Sequence, residues 1–179
     1  IMVGEMRDSE TAHIGVHASL TGHLVLTTLH TNTAAGAITR LIDMGVESFL
    51  LASSVRTIVG QRLVRILCEH CKQPHQLTPK DLTQDHRYES LGFAIGEVVH
   101  QPKGCEWCAS TGFRGRQGVF EVMEVSPLLR RAIGPKTDAN ELEQLARSEG
   151  MTTMTEDGVA KCRTGLTTID EVFRVSASL

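Results

Sequence analysis

Short apolar runs alternate with charged turns along this chain, and the spacing of the apolar positions sets the elements it predicts. Ile1-Met2-Val3 has the character of the end of a buried strand and runs straight into Gly4-Glu5-Met6-Arg7-Asp8. Ala12, Val16 and Leu20 then recur every four residues, which marks one face of a helix over roughly residues 10–20. Ser9 is placed to cap that helix and Gly22 to stop it. His23 to Leu29 follows as a continuous apolar run, the pattern of a strand covered on both faces in a parallel sheet, and it ends on His30-Thr31-Asn32. Asn32 or Thr33 caps a further helix to Met44, with Ile38, Leu41 and Ile42 inward and Gly45 behind it. Strand then helix, twice over, predicts an α/β fold with a mainly parallel sheet. Ligands of such sheets gather outside the carboxyl ends of the strands. Glu5, Arg7 and Asp8 at one strand end and His30 at the other therefore describe a single polar rim.

Residues 47–59 carry Phe49, Leu50, Leu51, Val55 and Ile58 and predict another helix, broken at Gly60. Gln61 to Leu67 predicts a strand leading directly into Cys68. Residues 68–116 differ in character: apolar patterning is thin, and Pro74, Pro79 and Pro102 stand among many turn residues. Gly118 to Val125 is strand-like again. Helix signals then close the chain: Ser126-Pro127 as cap and first helical residue, Asp138 with Glu141, and Thr168 with Glu171 as capping boxes. The expected organisation is three blocks: 1–67, 68–116 and 117–179.

Composition narrows the function classes. With 41% hydrophobic and 22% charged residues the chain is globular. A net charge of −3 and 4% aromatics argue against nucleic acid, although Lys103, Arg114 and Arg116 lie close to Trp107 and Phe113, which could stack on bases. The apolar runs are too short to cross a bilayer as a helix. An opening on Ile1, inside an apolar run, leads us to expect a piece of a longer protein.

Four of the five cysteines form two pairs, Cys68-Glu69-His70-Cys71 and Cys105-Glu106-Trp107-Cys108. Two C-x2-C knuckles supply the four ligands of a tetrahedral zinc, leaving no open coordination position, so such a site is structural. Gly104 and Gly112 permit the tight backbone of the second knuckle. A redox pair, or a Cys3His set recruiting His70 or His75, is the other reading. Cys162 stands alone as a buried thiol. His13 and His17, four apart, lack the glutamate of a zinc-protease helix.

Glu5 is the candidate for catalysis, since a carboxylate just past an apolar strand can orient a water against a phosphate. His30 could donate a hydrogen bond to the same phosphate. On spacing alone, a surface turn glutamate and a structural strand-end histidine are the better readings of these two residues.

A resemblance adds to this. Gly4-Glu5-Met6-Arg7-Asp8 with Glu10-Thr11-Ala12, then Thr21-Gly22-His23 through His30-Thr31-Asn32, resembles the Walker B and His-box segments of the secretion ATPase superfamily. Gln61-Arg62-Leu63-Val64-Arg65 before Cys68 and Gly112 to Gly118 after Cys108 are similar to the type II secretion E proteins and pilus extension ATPases, which carry a tetracysteine insert. Asp157-Gly158 with Lys161, and Thr167 to Val172, match their closing helices.

The resemblance implies the C-terminal part of a RecA-like P-loop NTPase domain, with an inserted zinc-binding subdomain and a C-terminal helical subdomain. It implies Glu5 as the water-activating carboxylate, with Arg7, Asp8, His23 and His30 supporting the nucleotide site. Cys68, Cys71, Cys105 and Cys108 take the place of the zinc ligands. It further implies ATP and Mg as the cofactors of the whole protein, a hexamer expected to work at the cytoplasmic face of the bacterial inner membrane against secretion or pilus platform proteins, without nucleic acid. The chain holds no G-x4-G-K-[ST] loop, so we expect it to be inactive alone. The remaining reading is a zinc-stabilised interaction module without an ATPase role.

Overall fold

The computed structural model describes residues 1–176. Two compact units divide the chain, one made of Ile1–Gly60 with Glu121–Thr152, the other of Gln61–Phe120 with the segment from Thr153 onward. This grouping cuts across the linear blocks 1–67, 68–116 and 117–179, because each unit is closed by helices from the C-terminal third. No helix among the described residues is long and apolar enough to cross a membrane.

In the first unit the chain start lies beside the run after His23. Leu26 N–H donates to Ile1 O at 3.0 Å, Val3 N–H to Leu26 O at 2.8 Å and Met6 N–H to Thr28 O at 3.1 Å. This is the expected parallel pairing, shortened to a bridge at Met2 and Leu26. The expected coverage on both faces is absent: Met2, Leu24 and Leu26 are 85%, 74% and 60% exposed. Among the described residues no further strand lies beside the pair to extend the sheet.

Helix α1 (Ser9–Leu20) begins at its predicted cap residue, so the cap moves one position earlier: Asp8, not Ser9, accepts from Thr11 N–H. Gly15 lets it approach, since a Cβ there would stand 2.1 Å from Met6 Cε. Helix α2 (Ala34–Asp43) is capped by Thr33, whose hydroxyl accepts from Gly36 N–H at 3.0 Å. Its buried Ala35, Ile38 and Leu41 join Ala12, Val16, Val46, Leu51, Met123, Leu129 and Leu142 in one core. Full burial of a residue such as Ile38 contributes about 1.5–3 kcal/mol.

Helix α3 (Ser48–Ser54) stops five residues short of the prediction, and β1 (Thr57–Leu67) runs straight through Gly60. The apolar residues Val55, Ile58 and Val59 with Thr57 are β-branched, and that stiffness at χ1 favours strand over helix. β1 pairs with β4 (Phe113–Glu124). The pairing is antiparallel: Val125 N–H donates to Arg56 O at one end and Cys68 N–H to Gly112 O at the other. The unit is completed by α6 (Pro127–Ala132) and α7 (Ala139–Ser148), capped by Ser126 and Asp138.

The second unit has its own small core of Leu77, Phe93, Val99, Val159, Cys162, Ile169 and Val172. It gathers the antiparallel hairpin of β2 (Gln73–Gln76) and β3 (Val98–Gln101), the short helices α4 (Pro79–Gln84) and α5 (Arg87–Ser90), and α8 (Met154–Arg163) with α9 (Ile169–Ser176). The expected box at Thr168 is half formed. Thr168 Oγ1 accepts from Glu171 N–H. The Glu171 carboxylate instead accepts from Arg65 N–H at 2.9 Å, Arg65 Nη2 at 2.7 Å and Arg174 Nη2 at 2.8 Å.

Candidate functional site

The parallel pairing places the Gly4–Glu5 step beside Thr28–His30. Thr28 Oγ1 donates to Gly4 O at 2.6 Å and pins the strand end. Glu5 then stands between two cationic or polar partners: Arg7 Nη2 lies 2.7 Å from its Oε2 and His30 Nε2 lies 3.2 Å from its Oε1. The hydrogen bond from Arg7 holds the Glu5 carboxyl below the usual carboxylate range against desolvation, and His30 acts in the same direction as Arg7. Glu5 is therefore a carboxylate at neutral pH, able to orient a water and accept its proton. The rim is open, with the Arg7 and His30 side chains 77% and 85% exposed.

The other two rim candidates lie elsewhere in the geometry. Asp8 is occupied as the α1 cap, and its carboxyl is lowered chiefly by the Thr11 N–H. His23 closes the C-terminal turn of α1 through Ala18 O at 3.2 Å. The strand pair sets it beside Ile1, at the opposite end from Glu5. Glu5, Arg7 and His30 are thus brought together; His23 is not.

Glu121, which the pattern reading passed over, matters here, as does Gly60, read there only as a helix break. Glu121 is 3% exposed and accepts a hydrogen bond from Ala34 N–H, the first residue of α2. Its signal was its phase: it falls in step with the buried Val119, Met123 and Val125 along β4 and its continuation. Gly60 faces it, where a Cβ would stand 2.7 Å from Glu121 Cγ.

In the second unit the two C-x2-C segments converge. Cys68 follows β1 directly, and Cys105 enters a single 3₁₀ turn, Glu106–Cys108. The four sulfurs all lie within 4.8 Å of one another, the one such group found among the described residues. Cys68–Cys105, Cys71–Cys108 and Cys105–Cys108 sulfurs are each 3.8 Å apart. A tetrahedral ion with bonds of about 2.3 Å spans about 3.8 Å between its ligands, so the spacing fits a thiolate-bound ion. Cys105 and Gly112 N–H groups point at Cys108 Sγ, both at 3.2 Å. Burial opposes ionisation of Cys108, but those N–H donors outweigh it and bring the thiol down to about 6.

The predicted glycines do their work: Gly104 and Gly112 have φ of +97° and +77°, and a Cβ would strike Ser110 O at 2.6 Å or Pro102 Cβ at 2.4 Å. The knuckle tips also meet, with the His70 and Trp107 rings stacked at 4.5 Å.

Comparison with known proteins identifies the family and the fold. The Type II/IV secretion system protein family matches residues 1–174. The chain is 47% identical over 176 residues to the type II secretion system protein E of Pectobacterium carotovorum subsp. carotovorum, covering 98% of this chain and 34% of that protein. It is 46% identical over 177 residues to the type IV pilus assembly ATPase PilB of Thermus thermophilus, covering 97% of this chain and 19% of the relative. It therefore spans about a third or less of these relatives. Among solved structures, the pilus retraction motor PilT with bound ADP superposes with a TM-score of 0.64 at 25% identity, over 98% of this chain and 39% of that one. The ATPase DotB of Legionella pneumophila shares the fold, with a TM-score of 0.63 at 22% identity over 100% of this chain and 38% of its own. On the match over residues 1–174 and the identity along its length, the chain belongs to the Type II/IV secretion system protein family.

Proposed function

We propose that this chain is the catalytic-carboxylate and metal-bearing part of an ATPase that drives type II protein secretion or the closely related extension of a type IV pilus. The observation that carries the reading is the rim: one carboxylate, Glu5, set between Arg7 and His30 at paired strand ends. Glu5 orients and deprotonates the attacking water. His30, four residues before α2, faces the same oxygen pair and is placed to sense the terminal phosphate. Arg7 keeps Glu5 charged. The phosphate-binding loop and lysine are supplied from outside these 179 residues, so the chain by itself turns over no ATP.

We assign zinc to Cys68, Cys71, Cys105 and Cys108, where it supplies folding energy and no chemistry. A hexamer at the cytoplasmic face of the inner membrane, working against platform proteins, follows from the family resemblance. Relatives of both kinds match at nearly equal identity, so secretion and pilus extension share this one description.

The test is Glu5→Gln in a protein that carries both this chain and its phosphate-binding loop. ATP affinity should hold while turnover falls about a hundredfold, the scale for a positioned acid–base group. Equal loss of binding and turnover would show instead that Glu5 supports the fold or the metal ion of the nucleotide.

A further inference from the structure

A carboxylate in a core position needs a reason. Glu121 sits on the buried face of β4, in step with Val119 and Met123, and is 3% exposed. Its Oε1 accepts from Ala34 N–H, 87 positions away in sequence. That N–H is one of the four orphan donors at the start of α2, where the helix dipole is positive, so a carboxylate fits there as a charge and as an acceptor. Thr33 serves a second orphan, Gly36 N–H. The opposite wall has been cleared for the carboxylate: at Gly60 a Cβ would meet Glu121 Cγ at 2.7 Å, Oε1 at 3.0 Å and Cδ at 3.1 Å. Gly60 has no need of its freedom at φ, because it lies in the extended strand β1. Its smallness is explained by the side chain across from it.

The helix start held in this way is the one that carries His30. Between His30 and Ala34 lie only Thr31, Asn32 and Thr33, and Thr31 Oγ1 closes the turn on Thr33 O at 3.0 Å. A shift of Ala34 is therefore passed to His30 through a short, hydrogen-bonded segment, and His30 Nε2 meets Glu5 Oε1 at 3.2 Å. We propose that Glu121 is a positioning residue: by fixing the first turn of α2 through Ala34 N–H, in a slot opened by Gly60, it sets the approach of His30 to Glu5. The positioning stands on contacts within one unit; its consequence for turnover rests on the ATPase reading above.

The experiment uses the 179-residue chain, isotopically labelled, and follows two NMR signals: hydrogen exchange of the Ala34 amide, and the contact between the His30 ring and the Glu5 side-chain protons. In Glu121→Ala the Ala34 amide should exchange about tenfold faster, the scale of one lost hydrogen bond. The His30–Glu5 contact should vanish. Glu121→Gln keeps an oxygen acceptor and should restore both signals. Gly60→Ala, which keeps the Glu121 side chain but crowds it out of its slot, should reproduce the Glu121→Ala pattern and decides the matter if that variant does not fold. An unchanged His30–Glu5 contact in these variants, with only a lower melting temperature, would overturn the proposal. So would a Glu121→Gln chain as disturbed as Glu121→Ala.

In a protein that also carries the phosphate-binding loop, Glu121→Ala should lower kcat roughly tenfold to a hundredfold at unchanged KM, as expected for a misplaced catalytic group. If Glu5→Gln leaves turnover intact, the ATPase role of the rim fails, while the NMR result still judges the tether.

Discussion

Four sulfurs that are buried or half-buried, with three of their separations at 3.8 Å, stand in one unit of this chain. In the other stands a carboxylate whose two partners are largely in solvent. The cysteine group is complete: its ligands come from residues 68–108, its glycines permit the turns, and its N–H donors already face Cys108. The rim sets a carboxylate, a guanidinium and an imidazole together in the open. A structural centre has to close on itself, because its product is the local fold. A catalytic rim has to stay open, because substrate and the rest of the site must reach it.

The contrast can be broken most severely at the cysteines. Cys105→Ala removes one of four ligands, and binding of a structural zinc is worth about 10–16 kcal/mol of folding free energy. The variant should lose its metal on dialysis, read as zinc per chain, while the parent retains one equivalent. A Cys105→Ala chain that keeps a full equivalent would show that the four sulfurs are not the ligand set.

A smaller effect tests whether the second unit has support besides the cysteine centre. Burial of Glu171 works against its charge, yet Arg174 and Arg65 outweigh it and hold the carboxyl at about 2. Its folded value lies below its unfolded value of about 4.3, so this stabilisation is present above that pH. It is lost as pH falls toward 2. Glu171→Ala should cost about 2 kcal/mol at neutral pH, less than a fully buried pair because both arginines are about half exposed. Denaturant melts should show the difference between parent and variant shrinking between about pH 4.3 and 2, a range set by those two values. A difference independent of pH would mean that packing, not charge, accounts for the loss.

The smallest effect belongs to the rim side. Thr33→Ala removes the side-chain cap of α2 and should cost about 1 kcal/mol, read by chemical denaturation. It should leave the metal content of the chain untouched.

The two regions were also unequally legible. Cysteine knuckles are local, so Cys68, Cys71, Cys105 and Cys108 could be grouped from spacing, with Gly104 and Gly112 as supporting signs. The helix α2 and its face were readable because period and cap agree. The end of α3 was not, since Val55 to Val59 suits a helical period and a strand equally, and pairing with β4 decided for strand. The apolar run before His30 looked fully buried because hydrophobicity reports what a strand can bury, while the partners within this chain cover little of it. Glu121 escaped because its partners, Ala34 and Gly60, are distant in sequence. The same holds for Glu171, whose capping-box spacing was real but whose carboxylate turned to Arg65.

The division of labour between the two regions is tested most directly by residue-resolved hydrogen exchange before and after zinc is extracted with a chelator under reducing conditions. Protection should collapse along residues 61–120 and 153–176, around the cysteine centre, and persist in α1, α2 and α7 of the first unit. Equal loss of protection in α1, α2 and α7, or full protection throughout the zinc-free chain, would contradict the assignment of the cysteine centre as the staple of one unit alone.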